Sequence, residues 1–557
     1  MLLRIAPIIM IAILIGPVLA GLFHIIVPAF GHDPILGKHG FSLNAFVQLK
    51  QIPNILHSIW LSYWVGLAAT FFSLLFVVLF VASFKDSRWF LAIKILLKPV
   101  VAMPHAAAAF GLAFLIMPSG FILRLVSPQL NGFDRPPDWL IVNDVAGFSL
   151  LFALMFKEIA FLLLVILAVL PLVETRYAKV GQVFGHKKIY SWLFLVFPLI
   201  YKQMRLPVYA VIAFATSVVD VAIILGPGNS PTLSVQILRL MSDPDLSQRS
   251  VVAAAAIVQF LITIFALFTW WLGEKLVGFF GKKIALSGTR IKNDLPLKIL
   301  GFVGVNFSIF FTLLGLVLLA IWSVAGLWSF PDILPKSLNF SSWIREFSNL
   351  FLVSKTAILI AFSASLIAII LVLASLENEY QNQIKLSKGA KFMLYIPLLV
   401  PQISFLFGLS IWFLWVGIDG NFFAVTFVHL IFVLPYVYLL LGDSFKNFDV
   451  RYLNIARLMG RSQLNVFFTI RVPLLLRPIL MALALGFAIS IAQYLPTLLI
   501  GAGRVPTITT EAVALASGGN RRLIGVYALI QTLLPFLVFA IASFISFYIW
   551  RNKRGLN

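Results

Sequence analysis

Apolar runs of bilayer length recur along the chain, near residues 5–30, 55–84, 99–121, 145–171, 207–226 and 251–273. A charged gap from Glu274 to Lys298 follows, and then a second set lies near 299–324, 350–375, 393–416, 422–442, 478–500 and 523–549. About 20 apolar residues cross a hydrocarbon core as a helix, so each run predicts one transmembrane helix. The expected fold is an all-α membrane protein of about 12 transmembrane helices, arranged as two six-helix lobes. The expected divisions are a first helix with its loop (1–54), a first lobe (55–273), a linker (274–298), a seventh helix with its loop (299–349), a second lobe (350–549) and a tail (550–557). Composition supports lipid as the main solvent. Of 557 residues, 61% are apolar and 11% charged, against roughly a quarter charged in soluble domains.

The first run begins like a cleavable signal, with Arg4, an apolar stretch and Val18-Leu19-Ala20. It continues past Ala20 to Phe30, which is long for a signal core and suits a span; a retained helix is expected.

The formal charge of +22 would suggest nucleic acid in a soluble protein, but such proteins gather their charge on a hydrated face. Here most of the 42 Lys and Arg fall in alternate gaps between runs, the pattern of positive-inside orientation. That places both termini and the 274–298 linker in the cytoplasm and excludes a nucleic-acid partner. With no cysteine, disulfides, thiolate metal sites and a Cys nucleophile are ruled out. The seven histidines are scattered without metal-ligand spacing, and no cofactor is expected.

The chain repeats itself internally. Arg176-Tyr177, Gly181, Gly185 and Pro198 correspond to Arg451-Tyr452, Ala456, Gly460 and Pro473, all at an offset of 275. On the other side of the membrane Gly226, Gly228, Pro231 and Thr232 match Gly501, Gly503, Pro506 and Thr507 at the same offset. Pro104 and Gly111 match Pro401 and Gly408 at 297, and late in each lobe Ala256 and Gln259 match Ala528 and Gln531. Because each lobe has an even number of spans, the two repeats run parallel.

The cytoplasmic repeats, Lys179 through Gly185 to Pro198 and Asn454 through Gly460 to Pro473, resemble the EAA loop of binding-protein-dependent ABC permeases of the MetI-like family. The spacing of small residue, Gly and Pro matches, with Lys179 and Asn454 standing where the family has a leading Glu. The runs Pro104 to Gly111 and Gln493-Tyr494-Leu495-Pro496-Thr497 through Thr510-Glu511-Ala512 are similar to the YnjC-like branch of the iron(III) and thiamine permease group. The resemblance implies an inner-membrane importer subunit driven by two copies of a separate ATPase and served by a periplasmic binding protein. It assigns ATPase coupling to Gly181, Gly185, Pro198, Asn454, Ala456, Arg457, Gly460 and Pro473. Physically, a small residue at 181 or 456 would let a short helix approach a partner closely. Gly185 or Gly460 can take the left-handed turn that ends the helix, and the proline can restart the next one. No G-x-x-x-x-G-K-[S/T] run occurs in the sequence, so the ATPase is expected to be another protein.

Ionisable groups inside spans cost roughly 2.5–3.5 kcal/mol each on insertion scales, which singles out Lys157, Glu158 and Asp220. Neighbours on a helix diverge by about 100°, so Lys157 and Glu158 are not expected to pair face to face. Ser217 shares a helix face with Asp220, and Ser490 and Gln493 repeat that spacing in the second lobe. A translocation pathway along these six residues is one reading, and interhelical hydrogen bonding is the other. His105, beside Pro104, reads as a packed or interfacial histidine. In the outer loops Arg239, Arg249, Arg504, Arg521 and Arg522 suit docking of a binding protein or simple solvation of turns.

A secondary transporter of the major facilitator type is the rival with the same helix count. Its Gly- and Arg-rich loop is missing from Phe84-Lys85-Asp86-Ser87-Arg88-Trp89-Phe90, and it gives no reason for the matched Gly-to-Pro spacing. A membrane enzyme would need convergent catalytic groups near one face, and the sequence suggests none.

Overall fold

In the computed structural model the described residues are 2–33, 38–173, 176–287, 293–383 and 387–551. The centre of the linker (288–292) and the tail (552–557) lie outside them. Among the described residues, a two-residue antiparallel pairing of His32–Asp33 with Lys38–His39 and an isolated bridge between Ala325 and Leu338 interrupt the helices. Twelve principal helices take up the apolar runs. In the first half they are α1 (Leu2–Ala29), α2 (Ile55–Phe84), α3 (His105–Ile116), α4 (Phe148–Val169), α5 (Phe197–Ser217) and α6 (Arg249–Leu286). The second half supplies α7 (Leu295–Val324), α8 (Ser341–Gln381), α9 (Gln402–Val416), α10 (Phe422–Lys446), α11 (Leu476–Ile491) and α12 (Arg521–Trp550).

Among the described residues, nine helices are long and apolar enough to cross a membrane, α3 being counted with its continuation to Val126. Of the others, α5 and α11 each complete a span only together with a shorter helix, bent by 59° and 72° respectively, and α9 has 15 residues. Both bends fall beside the repeated proline, the first at Val196 just before Pro198 opens α5 and the second at Leu475 just after Pro473. Proline suits a first helical turn because its missing N–H has no partner there.

The halves exchange their first helices. Instead of staying among its sequence neighbours, α1 packs against α9 and α8 of the second half as well as α6 of its own. In the same way α7 packs against α2 and α3 of the first half as well as α12. Glycine makes both crossings possible. Gly21 on α1 lies against Gly408 and Phe405 of α9, and a Cβ at Gly111 of α3 would stand 3.0 Å from Gly315 of α7. Helices in lipid associate through close backbone approach at small residues, and a side chain at any of these four positions would push the helices apart. Gly111 and Gly408 are thus repeat partners because each receives the other half's first helix. Large apolar side chains such as Phe23, Phe265, Phe302 and Phe310 stay exposed on the outer helices, the surface a bilayer covers.

Candidate functional site

Both fifth helices stop short. After Ser217 the backbone breaks at Val218-Val219 before a six-residue helix, Asp220–Leu225, and α11 ends at Ile491 before Leu495–Gly501. A break inside the membrane frees carbonyls that must find donors. The sixth helices supply them. Gln259 Nε2 donates to the Thr216 carbonyl at 3.0 Å, while Gln531 Nε2 donates to Thr509 Oγ1 at 3.0 Å, whose hydroxyl in turn donates to the Ile491 carbonyl. Thr216 is next to last in α5 and Ile491 is last in α11, so the repeated glutamines satisfy carbonyls at corresponding breaks.

Between the two breaks lies a cavity of about 230 Å³. Lys157, Glu158, Ser217, Asp220 and Gln493 all line it, together with His105 and Gln402. Ser490 does not. Its hydroxyl is bonded to His429 Nδ1 at 2.7 Å, and His429 Nε2 meets Thr497 Oγ1 at 2.9 Å in the packed interior. Lys157 and Glu158 diverge, as neighbours on a helix should. Lys157 Nζ donates to the carbonyls of Val100 and Met103 at 2.8 and 2.6 Å, which end the helix Arg88–Ala102. Glu158 turns towards His105, with Oε1 3.5 Å from Nε2. His105 also packs its ring on Phe214, centroids 4.7 Å apart. Ser217 bonds back to the Ala213 carbonyl at 2.7 Å, and Gln402 Nε2 reaches Gln493 Oε1 at 3.5 Å.

The second constellation is the pair of short helices Tyr177–Val183 and Arg451–Leu458. Each ends in the same hydrogen-bonded turn. The N–H of His186 returns to the Gly181 carbonyl at 3.1 Å, and that of Arg461 to the Ala456 carbonyl at 3.2 Å. Gly185 (φ +88°) and Gly460 (φ +79°) hold the left-handed conformation this turn demands. In the second copy Asp449 pairs with Arg451 at 2.6 Å just before the helix, and that guanidinium holds the Asp449 carboxyl below the usual carboxylate range.

The small residues of these helices face inward, which corrects the sequence reading that they open a path to a partner. A Cβ on Gly181 would stand 2.9 Å from Ser191 of the helix Lys188–Leu195. Ala456 packs with Leu453 and Val466. Four large apolar side chains are exposed in each copy, Tyr177, Val180, Val183 and Phe184 in one and Tyr452, Ile455, Leu458 and Met459 in the other, with Lys179 and Gln182 exposed among them in the first. The apolar residues correspond one to one at the offset of 275. Val183 is 85% exposed and Leu458 87%. Sequence reasoning passed over these eight, although their spacing of three and four places one stripe on each helix. Asn454 is exposed beside this stripe, and Arg457 lies 5.5 Å from the ring of Tyr380 on α8.

No protein-family model matches the chain. The inner membrane ABC transporter permease protein YnjC of Escherichia coli strain K12 is similar to it, with 31% identity over 462 residues and 82% of each chain covered. The chain belongs to the ABC transporter permease family. Shorter matches join it to the spermidine/putrescine transport system permease protein PotC. The Haemophilus influenzae protein is 28% identical over 158 residues, 28% of this chain and 62% of that one. PotC of Escherichia coli strain K12 is 31% identical over 98 residues, 18% and 37% of the two chains.

This ABC permease is therefore a multi-pass inner-membrane protein of an importer. On the face opposite the short helices, most of its candidate docking arginines are engaged within the chain. Arg504 pairs with Asp419, Arg522 donates to the Gly326 carbonyl, and Arg239 donates to the Gly228 carbonyl at 2.8 Å. Arg521 bonds Ser119 of the first half and lies 5.2 Å from the ring of Trp322. Arg249 opens α6, half-buried. The sequence reading also missed Arg124, which is buried on that face and donates to the carbonyls of Ser119, Ser329 and Asp332 at 3.0, 2.8 and 2.7 Å.

Proposed function

We propose that this permease crosses the membrane twelve times, with α1 retained as a span and with both termini and the short helices in the cytoplasm. Residues 55–273 and 350–549 act as two lobes, each bracing the other through an exchanged first helix. Two copies of a separate ATPase dock on the apolar stripes at 177–184 and 452–459. ATP draws the copies together and rocks the lobes, which opens the central cavity alternately to a periplasmic binding protein and to the cytoplasm. Lys157, Glu158, Ser217, Asp220 and Gln493 line the path of the solute, and Ser490 steadies the broken helix beside it. The outer loops with Arg239, Arg249, Arg504, Arg521 and Arg522 receive the binding protein, the bonded arginines by holding the loops in shape.

One observation carries the ATPase assignment. A four-residue apolar surface, repeated at one offset in two polar loops, is the pattern of a protein interface and not of a solvated turn. Purified from native membranes in mild detergent, the permease should carry two ATP-hydrolysing subunits per chain by native mass spectrometry. A chain that purifies without an ATPase, and whose uptake collapses with the proton gradient, would restore the secondary-transporter reading.

A further inference from the structure

Two related half-sites line the cavity with different chemistry. His105 and Gln402 are equivalent at the offset of 297 shared by Pro104 and Pro401, and Asp220 and Gln493 at the offset of 273 that relates Ser217 to Ser490. The second-half pair is neutral, and its members reach each other at 3.5 Å. On the first-half side the same positions hold an imidazole and a carboxylate, and Glu158 adds another carboxylate.

The charges do not cancel across the cavity. Among the described residues, Lys157 is the one lysine or arginine that lines it, but its head group is set against the last carbonyls of the helix Arg88–Ala102. Those carbonyls have no partner within their own helix and carry the negative end of its dipole, so the ammonium neutralises a helix terminus. Glu158 and Asp220 are 3% and 9% exposed. The Asp220 carboxylate is met by the N–H of Val221 in its own helical turn and, among the described residues, by no side-chain hydrogen bond. The His105 imidazole stands by Glu158, Nε2 3.5 Å from Oε1, and lines the same cavity as Asp220. Five aromatic rings, Phe161, Phe214, Phe432, Tyr436 and Tyr494, share the rest of the wall with aliphatic side chains, and ring faces attract cations. A solute carrying negative charge would meet two buried carboxylates and no free ammonium.

Resting on the permease reading, we infer that the cavity passes a small organic cation, held by the Glu158 and Asp220 carboxylates and covered by the aromatic wall. The neutral Gln402–Gln493 side gives it a polar surface to leave along. The asymmetry then has a purpose, because one charged half-site holds a cation while two would trap it.

The test is calorimetric titration of the purified full-length permease with putrescine, spermidine and choline, and with acetate, citrate and phosphate as anion controls. At least one of the cations should bind and none of the anions. Asp220→Asn and Glu158→Gln should each weaken cation binding about tenfold or more, the scale of one charge-assisted hydrogen bond. Gln493→Asp, which completes the second half-site, should tighten it, a gain that misfolding cannot imitate. The inference is overturned if no cation binds, if the anions bind, or if cation binding ignores all three substitutions. ATPase co-purification from the same preparation reads the permease assignment separately. A complex that keeps its ATPase but binds anions overturns only the cation class, whereas a chain without ATPase overturns the assignment beneath it.

Discussion

Leu458→Asp should leave the permease inserted and folded while reducing binding-protein-stimulated ATP hydrolysis by at least about tenfold, the effect of losing one strong interface anchor. The side chain is 87% exposed at the end of the helix Arg451–Leu458, so the chain itself loses almost nothing when it is changed. Docked in a groove of the ATPase, a carboxylate at that position would be stripped of water with no partner. Val183→Asp should behave the same way in the first half, since Val183 is its repeat partner and equally exposed. Leu458→Met, which keeps the apolar volume, should keep coupling. Hydrolysis measured on the reconstituted complex, beside a size-exclusion profile of the same sample, separates uncoupling from misfolding. Wild-type stimulation in both Asp variants would mean that the exposed stripes do not carry the coupling.

Arg471→Ala should be the most damaging single change outside the cavity. Arg471 is buried in the bent segment before α11, paired at 2.5 Å with Glu377 of α8. Its guanidinium lies 4.0 Å from the ring of Tyr380 and 4.1 Å from that of Phe445. Removing one partner of a buried pair strands the other charge, at a cost of about 3–5 kcal/mol, comparable with a large part of the stability of many domains. The yield of folded permease should fall sharply. Arg471→Met combined with Glu377→Leu should recover much of it, because an apolar pair of similar volume avoids the stranded charge. The first half manages without this pair: its equivalent residue is Val196, fully buried. Because Arg457 of the short helix also leans on Tyr380, at 5.5 Å, the cluster joins the second proposed docking helix to α8. If the double substitution were no better than Arg471→Ala, loss of packing and not a stranded charge would be the cause.

The helices were legible in the sequence because lipid imposes a length and a polarity on each span, and nearly every apolar run became one. The repeat was legible too, since Gly185 and Gly460 are required by backbone geometry that any reader of the spacing can derive. Exchange of the first helices was not legible. It depends on Gly21 meeting Gly408 and Gly315 meeting Gly111, contacts between residues hundreds of positions apart that no local periodicity records. At the helices proposed to dock the ATPase, the sequence singled out residues that the structure turns inward. Gly181 and Ala456 stand out as small, but their smallness serves packing within the chain, and the residues left outside are ordinary apolar ones. Arg471 was hidden for another reason: among the many cations of the basic loops it reads as one more contribution to orientation. In the cavity, Lys157, Glu158 and Asp220 stood out because charge inside a span is costly. The sequence held no sign that Lys157 is occupied with a helix end, nor that His105 turns to Glu158.

The central claim is that one chain offers two equivalent sockets to one kind of ATPase. The natural sequence contains no cysteine, so single cysteines at Val183 and at Leu458 can be cross-linked in native membranes without a background. Both positions should capture the same nucleotide-binding subunit, identified by mass spectrometry, with cross-linking at each position changing in parallel when ATP and vanadate are added. Capture at only one position, or of different proteins at the two, would contradict the doubled socket.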